Sequence, residues 1–372
     1  MKILHVITDS NIGGAGRLLL AFLREYDRKK VNIEVALPEG SLLAPEIAAL
    51  GVKYFELPHI AEKSFSINGL RVIRKLIKER EPDLVHTHAS LAGRIAAKLH
   101  GCRVVHSRHY CVYPPNVKDT QFPRKQITGF VNHFLSDAII ATAPEVKKGL
   151  METGTRGSHI STICNGVPPV REFSPEERTA IRAKYGIKPD AFVISQIARL
   201  AEVKGHDYTL DAAKILREHP DITVLLAGDG PLENHIQQRI KIENIPNVRM
   251  TGFIADIDEI INITDIQINS SFTETTCLSL LEGMTIGIPA VATNAGGNPF
   301  TIKHGKNGLI VPPRNAQAIA NAIISIKSDP NLHQKLSQGA KEEYQANFQA
   351  NKMARDMEAL YRKVLGGLYE NS

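Results

Sequence analysis

Residues 269–292 read NSSFTETTCLSLLEGMTIGIPAVA. The pattern is loop, helix, turn, strand. Thr275 and Thr276 are expected to cap the helix, because a threonine hydroxyl can accept one of its first unpaired N–H groups. Leu278, Leu281 and Met284 recur at helical spacing and give the helix a buried face. Glu274 stands at the helix mouth. Glu282 follows eight positions later, about two turns on at ~3.6 residues per turn, so the two carboxylates are expected on the same side. Gly287 and Pro289 stop the helix, and 288–293 reads as a strand. An acid, a helix N-terminus and a second acid in this order suit a ligand that carries phosphate and hydroxyls.

Outward from this stretch the same rhythm repeats. Short β-branched runs at 2–8, 32–36, 83–86, 103–107, 138–141 and 160–163 alternate with helices in the first half. Ser66 is placed to cap a helix whose Ile67, Leu70, Ile73 and Ile77 line one face. The stretch 165–189, rich in proline, breaks the pattern and reads as the inter-domain connection. Runs at 192–197, 223–227, 248–251, 266–269 and 308–311 then restart it. Strands alternating with helices imply parallel, doubly wound sheets. The expected fold class is α/β, with two facing Rossmann-like domains at 1–170 and 171–348 and a last helix at 349–372. Ligands of such sheets bind at the carboxyl ends of the strands.

The chain has 372 residues, enough for two cores, and 43% hydrophobic and 23% charged residues is ordinary for a globular protein. No apolar run approaches the ~20 residues of a membrane helix, and the N-terminal MKILHVITDS reads as a first strand and not a signal peptide. Four cysteines without CxxC spacing fit a reduced, cytoplasmic setting. Up to Val170 there are 23 Lys+Arg against 15 Asp+Glu, a balance of +8, and the rest carries 22 against 24 within the total of +6. The first half is therefore expected to face the more anionic partner, an anionic membrane or a phosphorylated acceptor, unless the charge is simply a solvated surface. No long basic run or RNA-binding signature supports nucleic acid.

Several other groups carry possible chemistry. Gly13-Gly14-Ala15-Gly16 follows the first strand and opens a helix. It lacks GxGxxG and a following ribose acid, so a dehydrogenase is disfavoured, but its glycines suit backbone approach to a ligand as well as a plain tight turn. Arg199 and Lys204, at a strand end ahead of Gly205, suit a pyrophosphate. Gly228 to Pro231 reads as turn chemistry with Pro231 at the first helical position, and Gly252-Phe253 can line a base pocket. His86 and His88 lack an acid or cysteine to complete a metal set. His109, at the carboxyl edge of the first sheet, reads either as a satisfied structural histidine or as a group facing the ligand. No GxSxG elbow exists for a serine hydrolase.

Together these residues resemble retaining glycosyltransferases of family 4, which have the GT-B fold. The resemblance runs over nearly the whole chain. It rests on Gly13-Gly14, Ser107-Arg108-His109, Asn165-Gly166-Val167, Arg199 with Lys204, the Glu274/Glu282 pair with Gly287-Ile288-Pro289, Gly296-Gly297 and Asn307-Gly308-Leu309. It implies a hexosyl- or N-acetylhexosaminyl-transferase that takes a nucleotide sugar, a UDP-sugar by preference. The acceptor would be a glycan or a lipid-linked molecule, as in polysaccharide biosynthesis at the inner face of the membrane. It implies no cofactor and no essential metal.

By the same resemblance, Arg199 and Lys204 hold the diphosphate, with the N–H groups of Thr276 and Cys277 at the helix mouth. Glu282 takes the ribose, and Glu274 and His109 contact the transferred sugar. Gly14, Gly252, Phe253, Thr275 and Leu278 complete the donor site, while Gly13, Arg17 and Tyr110 face the acceptor. Two departures stand out: Phe300 occupies the place of a usual glutamate after Gly296-Gly297, and Arg17 stands near a frequent acid. The last helix, with Met353, Met357, Leu360, Val364 and Leu368 on one face, would cross back to the first domain in this fold. Its spacing equally allows a local cap on the second. The rival readings are a GT-B-fold epimerase, an inverting transferase, and a nucleotide-sugar-binding module without turnover.

Overall fold

The computed structural model describes residues 1–109 and 116–366. Two compact units result. Met1–Val167 forms the first together with the segment from Phe348 onward, and Pro168–Asn347 forms the second.

The first unit holds a seven-stranded parallel sheet: β1 (Lys2–Ile7), β2 (Asn32–Pro38), β3 (Lys53–Leu57), β4 (Leu84–His88), β5 (Arg103–Arg108), β6 (Ala138–Ala141) and β7 (Ile160–Thr162), in the order β3-β2-β1-β4-β5-β6-β7. The second holds six parallel strands: β8 (Phe192–Ile197), β9 (Ile222–Ala227), β10 (Val248–Gly252), β11 (Ile266–Asn269), β12 (Ala290–Thr293) and β13 (Gly308–Val311), in the order β10-β9-β8-β11-β12-β13. β4, β6, β11 and β12 are buried along their whole length, as strands covered on both faces must be. One core gathers Leu4, Val6, Ile73, Ile77, Val85 and Val104, and a separate one gathers Ile194, Leu210, Val224, Ile266, Val291 and Ile323. The strand order reverses between β1 and β4 in one sheet and between β8 and β11 in the other. Crevices for ligands open at such reversals, at the strands' carboxyl ends.

Ser66 accepts a hydrogen bond from the Gly69 N–H at 2.9 Å and so caps the helix Ile67–Arg80. Ile73 and Ile77 are buried there, but Ile67, in the first turn, is exposed. The helix after the glycine turn begins at Gly14, so three of the four residues of that turn are helical. Pro231 lies before the helix Glu233–Ile242 and does not open it. The edge strand β3, the helix Leu43–Ala49 and the helix Arg124–Leu135 have no counterpart in the sequence reading. The last of these buries none of its residues, so its apolar positions do not mark a core-facing stripe. The helix Ala350–Val364 packs against Gly14–Glu25 in the first unit, with Met353, Met357 and Leu360 buried and Tyr361 wholly enclosed. Leu368 lies outside the described residues.

Candidate active site

In the second unit the loop after β8 meets the loop after β11. Arg199 is exposed on the first of these loops. Gly205 adopts φ +65°, and a Cβ there would stand 2.2 Å from the Ser270 carbonyl oxygen, so only glycine lets the two loops touch. Lys204 Nζ consequently donates to Glu274 Oε2 at 2.6 Å. The same oxygen lies 3.4 Å from Asn269 Nδ2 and from Ser271 Oγ, and Oε1 accepts from the Thr275 N–H at 3.2 Å. Gly296 and Gly297 hold the loop from beneath. The Gly297 N–H donates to the Glu274 carbonyl at 2.9 Å. A Cβ on Gly296 would come within 2.0 Å of that carbonyl oxygen, and one on Gly297 within 1.9 Å of the Thr275 carbonyl oxygen.

The threonines do not cap the helix. It runs Leu278–Thr285, with Cys277 at the cap position and no side-chain hydrogen bond there. Residues 274–276 instead form a non-helical loop held by the glycine contacts, and the Thr275 and Thr276 hydroxyls are buried without a hydrogen-bond partner. Glu274 therefore lies outside the helix, and helical spacing does not relate it to Glu282, which is buried in the second turn. Leu278 is half-buried. Ser279 Oγ donates to the Ile197 carbonyl at 3.0 Å and seats this helix on the end of β8. Cys277 Sγ lies 3.2 Å from that hydroxyl, and burial pushes its thiol pKa up, which keeps it neutral. The Gly252 carbonyl accepts from the Gly228 N–H at 2.9 Å, and Phe253 beside it is 72% exposed. The ends of β8, β9, β10 and β11 thus surround one edge of the sheet.

Phe300 sits in the short helix Asn298–Thr301, and Lys303 Nζ lies 4.8 Å from its ring centroid. A cation over a π-face replaces the carboxylate that the resemblance leads one to expect there. Asn298 beside it is fully buried and donates to the Thr293 carbonyl at 3.1 Å.

The first unit places the remaining candidates. Gly13 is the N-cap of the helix Gly14–Glu25. Gly14 is exposed, with no atom within 4 Å of a Cβ built on it, so packing does not require glycine there. Arg17 is half-buried on the first turn. Tyr110 lies outside the described residues. His109 follows β5 and lines an apolar pocket with Leu18, Phe22, His88, Asn165 and Met357. Its Nδ1 is buried without a partner, and its Nε2 lies 2.9 Å from His88 Nδ1. Burial pushes its pKa down to about 4, so the ring is neutral at neutral pH. Asn165-Gly166-Val167 runs along the start of the last helix, where the Val167 N–H donates to the Phe348 carbonyl at 2.9 Å.

His86 and His88 gain a third imidazole that sequence reading missed. Nitrogens of His5, His86 and His88 lie within 4.8 Å of one another. All six are engaged by other side chains: His5 with His88 and Tyr361, His86 with Tyr361 and Ser107, His88 with His109. This is a hydrogen-bonded array in place of an open ligand set. The alternate positions of His86 and His88, on one face of a strand, were its signal in the sequence. His5 and Tyr361 had none, because both arrive through long-range contacts. Asn269 and Ser271, which brace Glu274, were likewise invisible as functional groups.

Residues 12–171 match the profile of Glycosyltransferase Family 4, and residues 177–343 that of glycosyl transferases group 1. The chain is 30% identical to the putative glycosyltransferase EpsD of Bacillus subtilis, over 72% of this chain and 73% of that one. It is 26% identical to the Escherichia coli UDP-Gal:alpha-D-GlcNAc-diphosphoundecaprenol alpha-1,3-galactosyltransferase, over 90% and 89%. Its fold matches that of Anabaena Alr3699/HepE, solved with UDP, at a TM-score of 0.84 and 21% identity, over 98% and 100% of the two chains. The chain therefore belongs to the family-4-type glycosyltransferases and has their GT-B fold.

Proposed function

We propose that the protein transfers a hexosyl or N-acetylhexosaminyl group from a UDP-sugar to a lipid-linked glycan acceptor, with retention of anomeric configuration and no essential metal. The observation that carries this reading is the Glu274–Cys277 loop. It sets a carboxylate paired with Lys204, two buried unpartnered hydroxyls and a helix N-terminus side by side. Arg199 and Lys204 neutralise the diphosphate, whose charge grows as it leaves, so these contacts strengthen toward the transition state. The helix N-terminus adds its partial positive charge. Glu282 takes the ribose hydroxyls, Gly252 and Phe253 line the base, and Glu274 holds hydroxyls of the transferred sugar. The acceptor attacks from the face that the diphosphate leaves, and a departing phosphate oxygen takes its proton.

The relatives support the choice of donor and acceptor. The E. coli galactosyltransferase is named for UDP-Gal and a diphosphoundecaprenol acceptor, and HepE structures hold UDP-glucose, or UDP with glucose. No described helix is long and apolar enough to cross a membrane. Exposed Phe122, Ile127, Phe130 and Phe134 on and beside the helix Arg124–Leu135, with Arg124 and Lys125 at its start, support contact with an anionic lipid surface on the cytoplasmic side.

A thermal-shift panel of nucleotides and nucleotide sugars tests the donor, since a ligand stabilises the state that binds it. UDP and a UDP-sugar should raise Tm in wild type and raise it less in Arg199→Ala. A shift with NAD, or with no uridine nucleotide, contradicts the reading. Chelation should leave turnover unchanged.

A further inference from the structure

The buried array of the first unit is a continuous chain of hydrogen bonds that ends at the pocket. His109 Nε2 lies 2.9 Å from His88 Nδ1, and His88 Nε2 lies 3.0 Å from His5 Nδ1. His5 Nε2 lies 3.4 Å from the Tyr361 hydroxyl, which lies 2.6 Å from His86 Nδ1. His86 Nε2 in turn lies 2.8 Å from Ser107 Oγ. Burial holds all four imidazoles neutral.

A neutral imidazole has one N–H and one bare nitrogen. Each junction between two rings needs one hydrogen, so the direction chosen at one end propagates to the other. The Tyr361 end makes that choice. A separation of 2.6 Å is shorter than the usual N–H···O range and fits an O–H donor. The phenol therefore donates to His86 Nδ1, which leaves Nε2–H of His86 to donate to Ser107. Having spent its only hydrogen, the phenol oxygen can only accept from His5 Nε2–H. His5 Nδ1 is then bare and accepts from His88 Nε2–H, and His88 Nδ1 accepts from His109 Nε2–H. The remaining atom, His109 Nδ1, carries a lone pair and is the buried nitrogen without a partner.

We propose that Tyr361, through His5 and His88, positions His109 as the Nε2–H tautomer, so that its bare Nδ1 is a hydrogen-bond acceptor for a ligand hydroxyl at the pocket of the first unit. This rests on the reading above for the identity of the ligand, but the tautomer does not. A bare nitrogen matches a hydroxyl and repels a phosphate oxygen, which has no hydrogen to give. The last helix thereby contributes a positioning residue from far along the chain.

Imidazole nitrogen NMR of the full chain labelled with 15N-histidine, with His109 assigned by the signal missing in His109→Ala, reads the tautomer directly. In wild type, His109 Nδ1 should resonate as a bare nitrogen and Nε2 as a protonated one. The opposite assignment overturns the proposal, whatever any variant does. In Tyr361→Phe the phenol is gone and His5 Nε2–H loses its acceptor, so His109 should shift toward the Nδ1–H form. In the same variant kcat should fall about tenfold, with the donor KM changed less than about threefold. An unchanged His109 spectrum in a folded Tyr361→Phe protein overturns the role of Tyr361. Nucleotide-release assays on the same samples separate the two claims. The Nε2–H tautomer without release from any nucleotide sugar supports the chain of hydrogen bonds and overturns the function proposed above.

Discussion

Lys204 Nζ stands 2.6 Å from Glu274 Oε2, so the cation proposed for the diphosphate and the carboxylate proposed for the sugar pair with each other. Both side chains are largely covered, at 24% and 10% exposure. In the proposed reaction a diphosphate brings its own negative charge to Lys204, which frees Glu274 to accept from sugar hydroxyls. The pair would then couple donor arrival to the readiness of the carboxylate.

Separate roles for the two glutamates follow. Glu274→Ala should lower kcat about a hundredfold and leave UDP affinity within about threefold, because its contact is to the transferred group. Glu282→Ala should weaken UDP binding about tenfold, the value of a charged hydrogen bond to a hydroxyl. Calorimetric titration of UDP with steady-state kinetics checks both. If both variants lose affinity alone, the division of labour is wrong.

Two glycine substitutions should separate architecture from ligand approach. Gly297→Ala drives a Cβ to 1.9 Å from the Thr275 carbonyl oxygen and should cost about 2–4 kcal/mol with loss of activity. Gly14→Ala meets no atom within 4 Å. It should leave Tm unchanged and lower kcat/KM, because in the proposed reaction a ligand approaches the backbone at this position. A destabilised Gly14→Ala protein, or a fully active one, contradicts this.

The buried histidines predict a pH dependence of stability. Burial lowers His5 to about 3 and holds His86, His88 and His106 well below 6.5. The unfolded chain binds protons at these sites below about pH 6.5 and the folded one does not. Their contribution is therefore complete above pH 6.5 and is lost as pH falls toward 3, at up to about 1.4 kcal/mol per histidine per pH unit. Urea unfolding at pH 7.5, 6.5 and 5.5 should show little change over the first interval and a steep fall over the second. A flat profile means that these rings take up protons in the folded protein as they do in the unfolded chain.

Much of this was legible in the sequence. β6, β8, β11 and β13 have the bounds that their β-branched runs mark. Lys204 and Glu274 were singled out as candidate site residues by resemblance. Their contact was not, since it depends on Gly205 meeting Ser270 across 65 positions of chain. The Glu274–Thr276 loop was misread as a capped helix start because its geometry is imposed by Gly296 and Gly297, which approach from after β12. The helix Arg124–Leu135 escaped notice for a different reason: Phe130 and Phe134 point outward, so the periodicity that normally signals burial has no core behind it.

That exposed face gives a membrane prediction. The protein should sediment with vesicles containing anionic phospholipid, more weakly as salt rises. Phe130→Ser with Phe134→Ser should reduce the bound fraction about tenfold or more, as expected for two buried aromatics withdrawn from lipid. Equal binding by the double variant assigns the contact elsewhere.

The central claim is sugar transfer from a uridine nucleotide with retention. Incubating the protein with an α-linked UDP-sugar and a lipid-linked acceptor, and reading the anomeric proton of the product by NMR, tests it in one step. Transfer with retention predicts UDP release matched by an α-linked product, both slowed about a hundredfold in Glu274→Ala. A β-linked product contradicts retention, and free hexose or epimerised nucleotide sugar without glycosylated acceptor contradicts transfer.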